Sequence, residues 1–392
     1  MALMPAEART EFESYLVVVQ EAVKSGVTKS YSNRKDSHWG LWESYCEKKH
    51  LDPFLRSTED PIPFLQAFAA MYRDGTIAPS KNSVRSKTVS DAVRSVGQKF
   101  SSLGTTDPRY DVYGKIDFRL SRQYRSYTKE DSPPSRVKPV PITLIIRVLR
   151  FALFTMPTSE RIAIAHMICI AFYFCLRPGE YTGTTTDDQA FSLEDISFHL
   201  GDRMLNNISS PDHEIEAATA VKYTFTTQKN GDKGTIIAHA RSGDNVCCPV
   251  LSTIQLFLIH RREFRRKNVP YDGKLKLASY YNSKHVNVPV KAKQVTDTLR
   301  THAALIQPMT GINPKDISAR SLRAGGAMAL LAGKCDSSII KLLARWHSDA
   351  MMDYLHQQSL PIFKRLAATM YNHGSYSFLP DEWVPAAPVA AE

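Results

Sequence analysis

The stretch "CLRPGEY" places Arg177 at the end of a strongly apolar run, "IAIAHMICIAFYFCL", with Pro178 directly after it and Glu180 three residues on. A residue preceding proline avoids the helical region, and proline suits the first position of a new helix. The long apolar helix is therefore expected to stop near Leu176, leaving Arg177 at a rigid joint. There it serves either as a cation that holds an oxyanion or as a helix-end arginine satisfying C-terminal carbonyls. Further on, "ARSLRAGGAMALLAG" sets Arg320 and Arg323 three apart, on one face if helical, ahead of Gly325 and Gly326, which admit a close backbone. "LARWHSDAMMDYLHQQ" adds Trp346, His347 and Tyr354, and the turn "KNGDKG" adds Lys229 and Lys233. Arginines grip phosphate oxygens bidentately. A lysine can protonate a leaving oxygen, and a tyrosine can attack phosphorus covalently.

These residues need elements to hold them. The first hundred residues read as helices: Thr28 or Ser30 caps "YSNRKDSHWGLWESYCEKKH", with Trp39, Trp42 and Tyr45 at helical spacing. Gly75 is expected to stop a second helix, "FLQAFAAMYRDG", and Ser80 to open a third, "KNSVRSKTVSDAVRSVGQKFSSLG". A helical domain over 1–105 is followed by a basic, tyrosine-containing, proline-punctuated stretch over 106–140. That stretch reads as a linker with one short helix at most, ending at Pro133–Pro134. A second unit spans 141–375. In it "ITLIIRVLRFALFTM" and "TSERIAIAHMICIAFYFCL" are helical, and "VKYTFTTQ" and "TIIAHA" alternate as a two-strand hairpin. Five later segments return to helix, and 376–392 is a loose tail. The fold class expected is mainly α with a small β-sheet.

At 392 residues the chain is too long for one compact core. Its 43% hydrophobic and 23% charged residues are ordinary for a soluble globular protein. The formal charge of +11 favours a polyanionic partner through counterion release, although a solvated basic surface gives the same total. The six cysteines include no Cys-x-x-Cys pair, and the adjacent Cys247 and Cys248 are ill placed to chelate one metal, so reduced thiols of a cell interior are expected. The N-terminus lacks a signal pattern and no apolar run reaches spanning length, which points to a soluble, intracellular protein without membrane contact. "GGAMALLAGK" lacks the spacing of a nucleotide-binding loop. Glu194 and Asp195 sit in a polar turn with no further metal ligand evident. No cofactor and no metal are expected. The cluster "RREFRRK" at 261–267 either faces DNA, serves as a nuclear-import signal or is a solvated helix face.

The order of these boxes resembles the tyrosine recombinase (phage integrase) family, and most of all recombinases of eukaryotic mobile elements such as Cryptons. The family's Arg-x-x-Glu pattern is matched by "RPGE", its hairpin lysine by "TTQKNG" and its His-x-x-Arg box by "RSLR". The tryptophan box is matched by "ARWHSD", and the nucleophile position falls on Tyr354. The likeness runs over about residues 28–370, since the N-terminal part also resembles the family's helical core-binding (SAM-like) domain.

The resemblance implies an α+β catalytic domain that cleaves and rejoins DNA through a 3′-phosphotyrosine, for integration or excision of a mobile element. Arg177 and Arg323 would clamp the scissile phosphate, Glu180 would support them and Tyr354 would attack. Lys229 (rather than Lys233) would protonate the departing 5′-oxygen, and Trp346, or alternatively His347, would supply a further donor. It implies double-stranded DNA as partner, closure of two domains around it as a clamp, and four protomers on two sites, with a monomer or dimer when free. A nuclear location follows from the branch resembled. The segment "SLPIFKRLAATMYNHG" would then dock either on a neighbouring protomer or on its own domain.

Two features depart from the family: Trp346 lies eight residues before Tyr354, one fewer than is usual in bacterial members, which makes His347 its rival, and Arg320 replaces the box histidine and cannot accept the tyrosine proton, though it can still donate to phosphate. This keeps open a DNA-binding protein that has lost catalysis. A topoisomerase using the same chemistry is the other alternative.

Overall fold

The computed structural model describes residues 5–132, 138–183, 189–226, 234–345, 359–375 and 377. Lys229, Lys233, Trp346, His347 and Tyr354 lie outside the described residues. The chain divides into two compact units, Met1–Pro134 and Ser135–Glu392.

The first unit is helical: α1 (Ala6–Ser25), α2 (Lys29–Lys48), α3 (Ile62–Arg73), α4 (Ser86–Ser102) and α5 (Phe118–Glu130). The cap of α2 is Thr28, whose hydroxyl accepts from the Tyr31 N–H at 3.3 Å. Trp39, Trp42 and Tyr45 face inward as their spacing requires, meeting Phe68 and Phe100 in one apolar cluster. The Trp42 indole N–H donates to Pro53 O at 2.8 Å. α1 contributes nothing to that cluster, and its Tyr15, Val17, Val18 and Val23 are exposed.

Two sequence expectations are corrected here. Ser80 opens no helix: it lies in a turn where Lys81 has φ 54° and the Asn82 amide donates to Ser80 O, and the helix begins at Ser86. The stretch read as a linker over 106–140 belongs largely to the first unit. There Leu120 of α5 is fully buried with Tyr124 and Tyr127 packed beside it, and Asp107 and Arg109 form a buried ion pair. Downstream, the Asp131 carboxylate accepts from Arg73 and from the Ser86 N–H, fastening the end of α5 to α3 and α4. Charged and polar residues along α5 hid one apolar stripe, because a helix on a bundle's rim needs only a few inward side chains.

The second unit is built round α7 (Ser159–Tyr173), which is buried on all sides from Ala163 onward. Thr158 caps it, accepting from the Arg161 N–H. α6 (Ile142–Arg150, running on as a π-helical turn Phe151–Thr155) packs beside it, as do α10 (Pro249–Lys267), α11 (Ala292–Thr310) and α12 (Ser321–Ala332). Between α8 (Pro178–Tyr181) and α10 the chain forms β1 (Ile196–Leu200), β2 (Arg203–Met204), α9 (Asp212–Glu216), β3 (Ala220–Phe225) and β4 (Thr235–Ala240). The strands join in the antiparallel order β2-β1-β3-β4. The expected hairpin is β3–β4, closing with Phe225 opposite Thr235. A second ribbon pairs β5 (Ser279–Tyr281) with β6 (Asn287–Pro289), and α13 (Ser337–Ala344) follows α12. The molecule is thus mainly α with small antiparallel sheets.

Three buried histidines of this unit carry a pH prediction. His166 lies against the Ser252 hydroxyl, and the Nε2 atoms of His239 and His260 face Tyr173 O and Leu277 O. Burial pushes each of them down to about 4. The unfolded chain takes up these protons near pH 6.5 while the fold refuses them until about 4, so stability falls as pH drops through that window. At about pH 5 the expected loss is about 2 kcal/mol per histidine. Urea midpoints at about pH 7 and pH 5 check it, and equal midpoints would contradict it.

Candidate active site

α7 ends where expected. Cys175 turns the chain with φ 49°, and Arg177 stands extended before the short helix α8 that Pro178 starts. The Arg177 N–H donates to Glu180 Oε2 at 2.7 Å, and its Nη1 donates to Oε1 at 3.0 Å. Glu180 is buried, whereas about 30% of the Arg177 side chain remains exposed. The Arg177 head is therefore aimed by a buried carboxylate and still reachable from outside.

The helix-end carbonyls are served by other arginines. Arg323, on the first turns of α12, donates from Nη1 to Cys175 O at 3.4 Å and from Nη2 to Ala344 O. Arg345 follows α13 in the left-handed conformation, at φ 53°. It donates to Phe174 O, Leu343 O and Cys175 O at 3.1–3.2 Å, and to Glu180 Oε2 at 2.8 Å. Its guanidinium also lies 4.0 Å from the Phe225 ring centroid at the end of β3. Because Arg323 and Arg345 cap the end of α7, Arg177 is not consumed in that task.

Arg177 and Arg345 thus share the Glu180 carboxylate, and Arg323 stands near enough to be repelled by both, an excess of positive charge in a partly dehydrated place. Burial, with repulsion from Arg177 and Arg345, brings the Arg323 guanidinium down to about 10. Burial also lowers Arg345, against the pull of Glu180. Burial raises the Cys175 thiol to about 11, so it stays protonated despite the two arginines beside it. Such an excess is suited to an anion with several oxygens.

Two glycines let this assembly form. A Cβ at Gly326 would stand 2.1 Å from Phe172 O, and one at Gly325 would stand 2.4 Å from Val140 O, so α12 sits directly on the backbone of α7 and of the strand-like entry to α6. The Tyr181 hydroxyl donates to Ala319 O at 3.0 Å, tying α8 to the approach of α12.

Arg320 stands just before α12, exposed, and its guanidinium takes no part in the bonds around Glu180. Arg345 is the member of this cluster that sequence reasoning missed. It lies inside "ARWHSD", but no spacing rule marks an arginine whose partners, Phe174 O and Cys175 O, stand 171 and 170 positions earlier in the chain. Asp195 is engaged in the fold: its carboxylate accepts from the Ser192 N–H and the Thr226 hydroxyl. Among the described residues no group of three or more His, Cys, Asp or Glu gathers in a way that could hold a metal. Among them, too, no helix is long and apolar enough to cross a membrane.

The "RREFRRK" cluster is internally engaged. Arg261 donates to Ile208 O and Ser210 O, and Arg265 is bidentate with Asp212. Arg266 is bidentate with Glu263, Lys267 donates to His285 O, and Arg262 pairs with Glu216. It staples α10 to α9 and to the β5–β6 turn. The C-terminal helix Ser359–His373 packs on its own domain, burying Leu366, Ala367 and Met370 and joining the Tyr371 hydroxyl to Asp244 at 2.6 Å.

No family model and no curated protein matches the sequence. Solved structures similar to the chain include the Tn1549 transposon integrase in complex with circular intermediate DNA, at 13% identity over 75% of this chain and 80% of that one, with a TM-score of 0.39. The XerH site-specific recombinase bound to its difH substrate aligns at 14% identity over 78% and 70%, with a TM-score of 0.40. The integrase of mycobacterium phage Brujita aligns at 13% identity over 92% and 93%, with a TM-score of 0.31. Each is a likeness at low identity, and none assigns a residue or an activity to this chain.

Proposed function

We propose that this chain is a DNA strand-cleaving and rejoining enzyme of the tyrosine recombinase type, acting on double-stranded DNA without a metal. The observation that carries the reading is that Arg177, held by the buried carboxylate of Glu180, and Arg323, bonded to Cys175 O, come from widely separated boxes to one place at the end of α7, close enough to repel each other. In this reading their N–H groups meet the non-bridging oxygens of the scissile phosphate, where negative charge grows in the transition state. The Tyr354 hydroxyl oxygen forms a bond to phosphorus as the bond to the 5′-oxygen breaks. Lys229 gives that oxygen a proton, and the tyrosine proton passes to water or another base. The phosphotyrosine ester conserves the bond energy, and attack by a 5′-hydroxyl of a second strand reverses the step. Integration or excision of a mobile element, in an assembly of four protomers on two sites in the nucleus, is the biological setting we assign to it.

The test is a suicide-substrate assay in EDTA with nicked duplexes carrying candidate target sequences, resolved on a denaturing gel. A protein–DNA adduct formed by the wild type and absent in Tyr354→Phe is the expected result. Strand transfer to a second duplex separates recombinase from topoisomerase. Arg320, exposed and unable to accept a proton, favours a second reading, a DNA-binding protein that has lost cleavage. Tight binding with no adduct on any substrate would establish that reading, and Arg320→His would be the first restoration to try.

A further inference from the structure

We propose that Arg345 is a positioning residue of this site, a group that ties together three segments, the Phe174–Cys175 corner, the Glu180 carboxylate of α8 and the end of β3; the proposal rests on the recombinase-type reading above. The residue is 5% exposed, and its guanidinium contacts each segment at a different point. Through Glu180 Oε2 at 2.8 Å it holds the carboxylate that aims Arg177. Through Phe174 O and Cys175 O it holds the corner from which the chain reaches Arg177, and Arg323 shares the second of those carbonyls. Through the face of Phe225, at 4.0 Å, it holds the last residue of β3, four positions before Lys229. Its own backbone opens the segment that carries Trp346 and Tyr354.

The chemistry of the side chain suits this task and no other residue type matches it. A guanidinium offers five donors in one plane and an aromatic-compatible face, so it can serve carbonyls and a carboxylate along its edge and a ring across its plane. A lysine offers a point charge without the plane. The backbone at Arg345 is left-handed, φ 53°, a conformation that a non-glycine residue adopts at a cost of about 1 kcal/mol or more. The side-chain contacts hold it there. Arg345 makes no approach to solvent that a substrate phosphate would require, so it acts through Glu180 and the three segments rather than on the phosphate itself. Its effect is therefore expected in the rate of cleavage and not in DNA affinity.

The experiment measures single-turnover adduct formation and DNA dissociation constants for the wild type, Arg345→Met, Arg345→Lys, Glu180→Gln and the double variant Arg345→Met/Glu180→Gln. Arg345→Met is expected to slow adduct formation roughly 10²-fold while the DNA dissociation constant stays within about threefold, a split that general loosening of the fold would not give. Arg345→Lys should recover less than a tenth of the lost rate, because it keeps the charge and lacks the fork. The double variant should be no slower than the worse single one, since both remove the same link. Equal losses of rate and affinity, full rescue by lysine or additive effects would each overturn the proposal. Should Arg345→Met fail to fold, Phe225→Leu removes only the aromatic face and is expected to slow cleavage about tenfold at unchanged affinity; an unchanged rate would count against the proposal. A wild type that forms no adduct removes the recombinase-type reading and this proposal together, whereas a wild type and an Arg345→Met variant that cleave alike remove this proposal alone.

Discussion

Arg323→Ala is expected to slow formation of the tyrosine–DNA adduct by roughly 10³-fold, the scale of losing a charged donor aimed at a transferring phosphoryl group. Arg323 is partly buried, brought down to about 10 by that burial and by the neighbouring Arg177 and Arg345, against the weaker pull of Glu180. A phosphodiester entering this place gains from a positive field that water screens poorly. The same excess disfavours the empty protein, so removing one of the three cations relieves repulsion even as two backbone carbonyls, Cys175 O and Ala344 O, lose a donor. The thermal midpoint should therefore change little, while the stabilisation by added sulfate or vanadate expected of the wild type should disappear. Arg323→Lys should restore charge but not the two-oxygen grip, leaving most of the rate loss in place. Wild-type cleavage by Arg323→Ala would show the residue to be a capping group for α7 and nothing more.

How far the sequence could lead depended on whether the deciding interaction was local. The buried run ending at Pro178 fixed the end of α7 and the joint at Arg177, because proline restricts its neighbour and apolar continuity marks a helix buried all round. The glycine-bounded hairpin β3–β4 and the double glycine of α12 were likewise readable from a few adjacent residues. The first turns of the sheet were not: Ile196–Leu200 is five residues long, and its strand character comes from pairing with β3 across an intervening helix. α5 was hidden because its fixed points are partners far away, Arg73 and Ser86 for Asp131 and Asp60 for Arg119. The basic run on α10 admits a DNA-facing, an import-signal and a solvated-face reading along the chain; in the fold Asp212, Glu216 and Glu263 meet its cations, while Arg262 and Arg265 stay more than half exposed, as on a solvated face. Arg345 belongs with α5, since its meaning lies in Glu180 and Phe225, which only the tertiary structure brings to it.

Gly326→Ala is expected to destabilise the second unit by about 2–4 kcal/mol and to impair cleavage by whatever protein remains folded. The added methyl would fall 2.1 Å from Phe172 O and 2.8 Å from Cys175 Sγ, distances that the surroundings must open by moving backbone rather than by turning a flexible side chain. Phe172 lies on the last turn of α7, two positions before the first of the carbonyls that hold Arg345 and Arg323. Any separation of α12 from α7 thus lengthens the same bonds that bring Arg323 to Arg177, and a misplacement near 1 Å at such a site can cost about 10²-fold in rate. Gly40 provides the contrast. It is also within a helix, but a Cβ there meets nothing within 4 Å, so Gly40→Ala should be neutral or stabilise by about 0.5–1 kcal/mol through chain entropy. Urea melts of both variants and single-turnover cleavage by each decide the matter. If Gly326→Ala matched Gly40→Ala in stability and rate, the close seat of α12 on α7 would not be what assembles the arginines, and their convergence would need another cause.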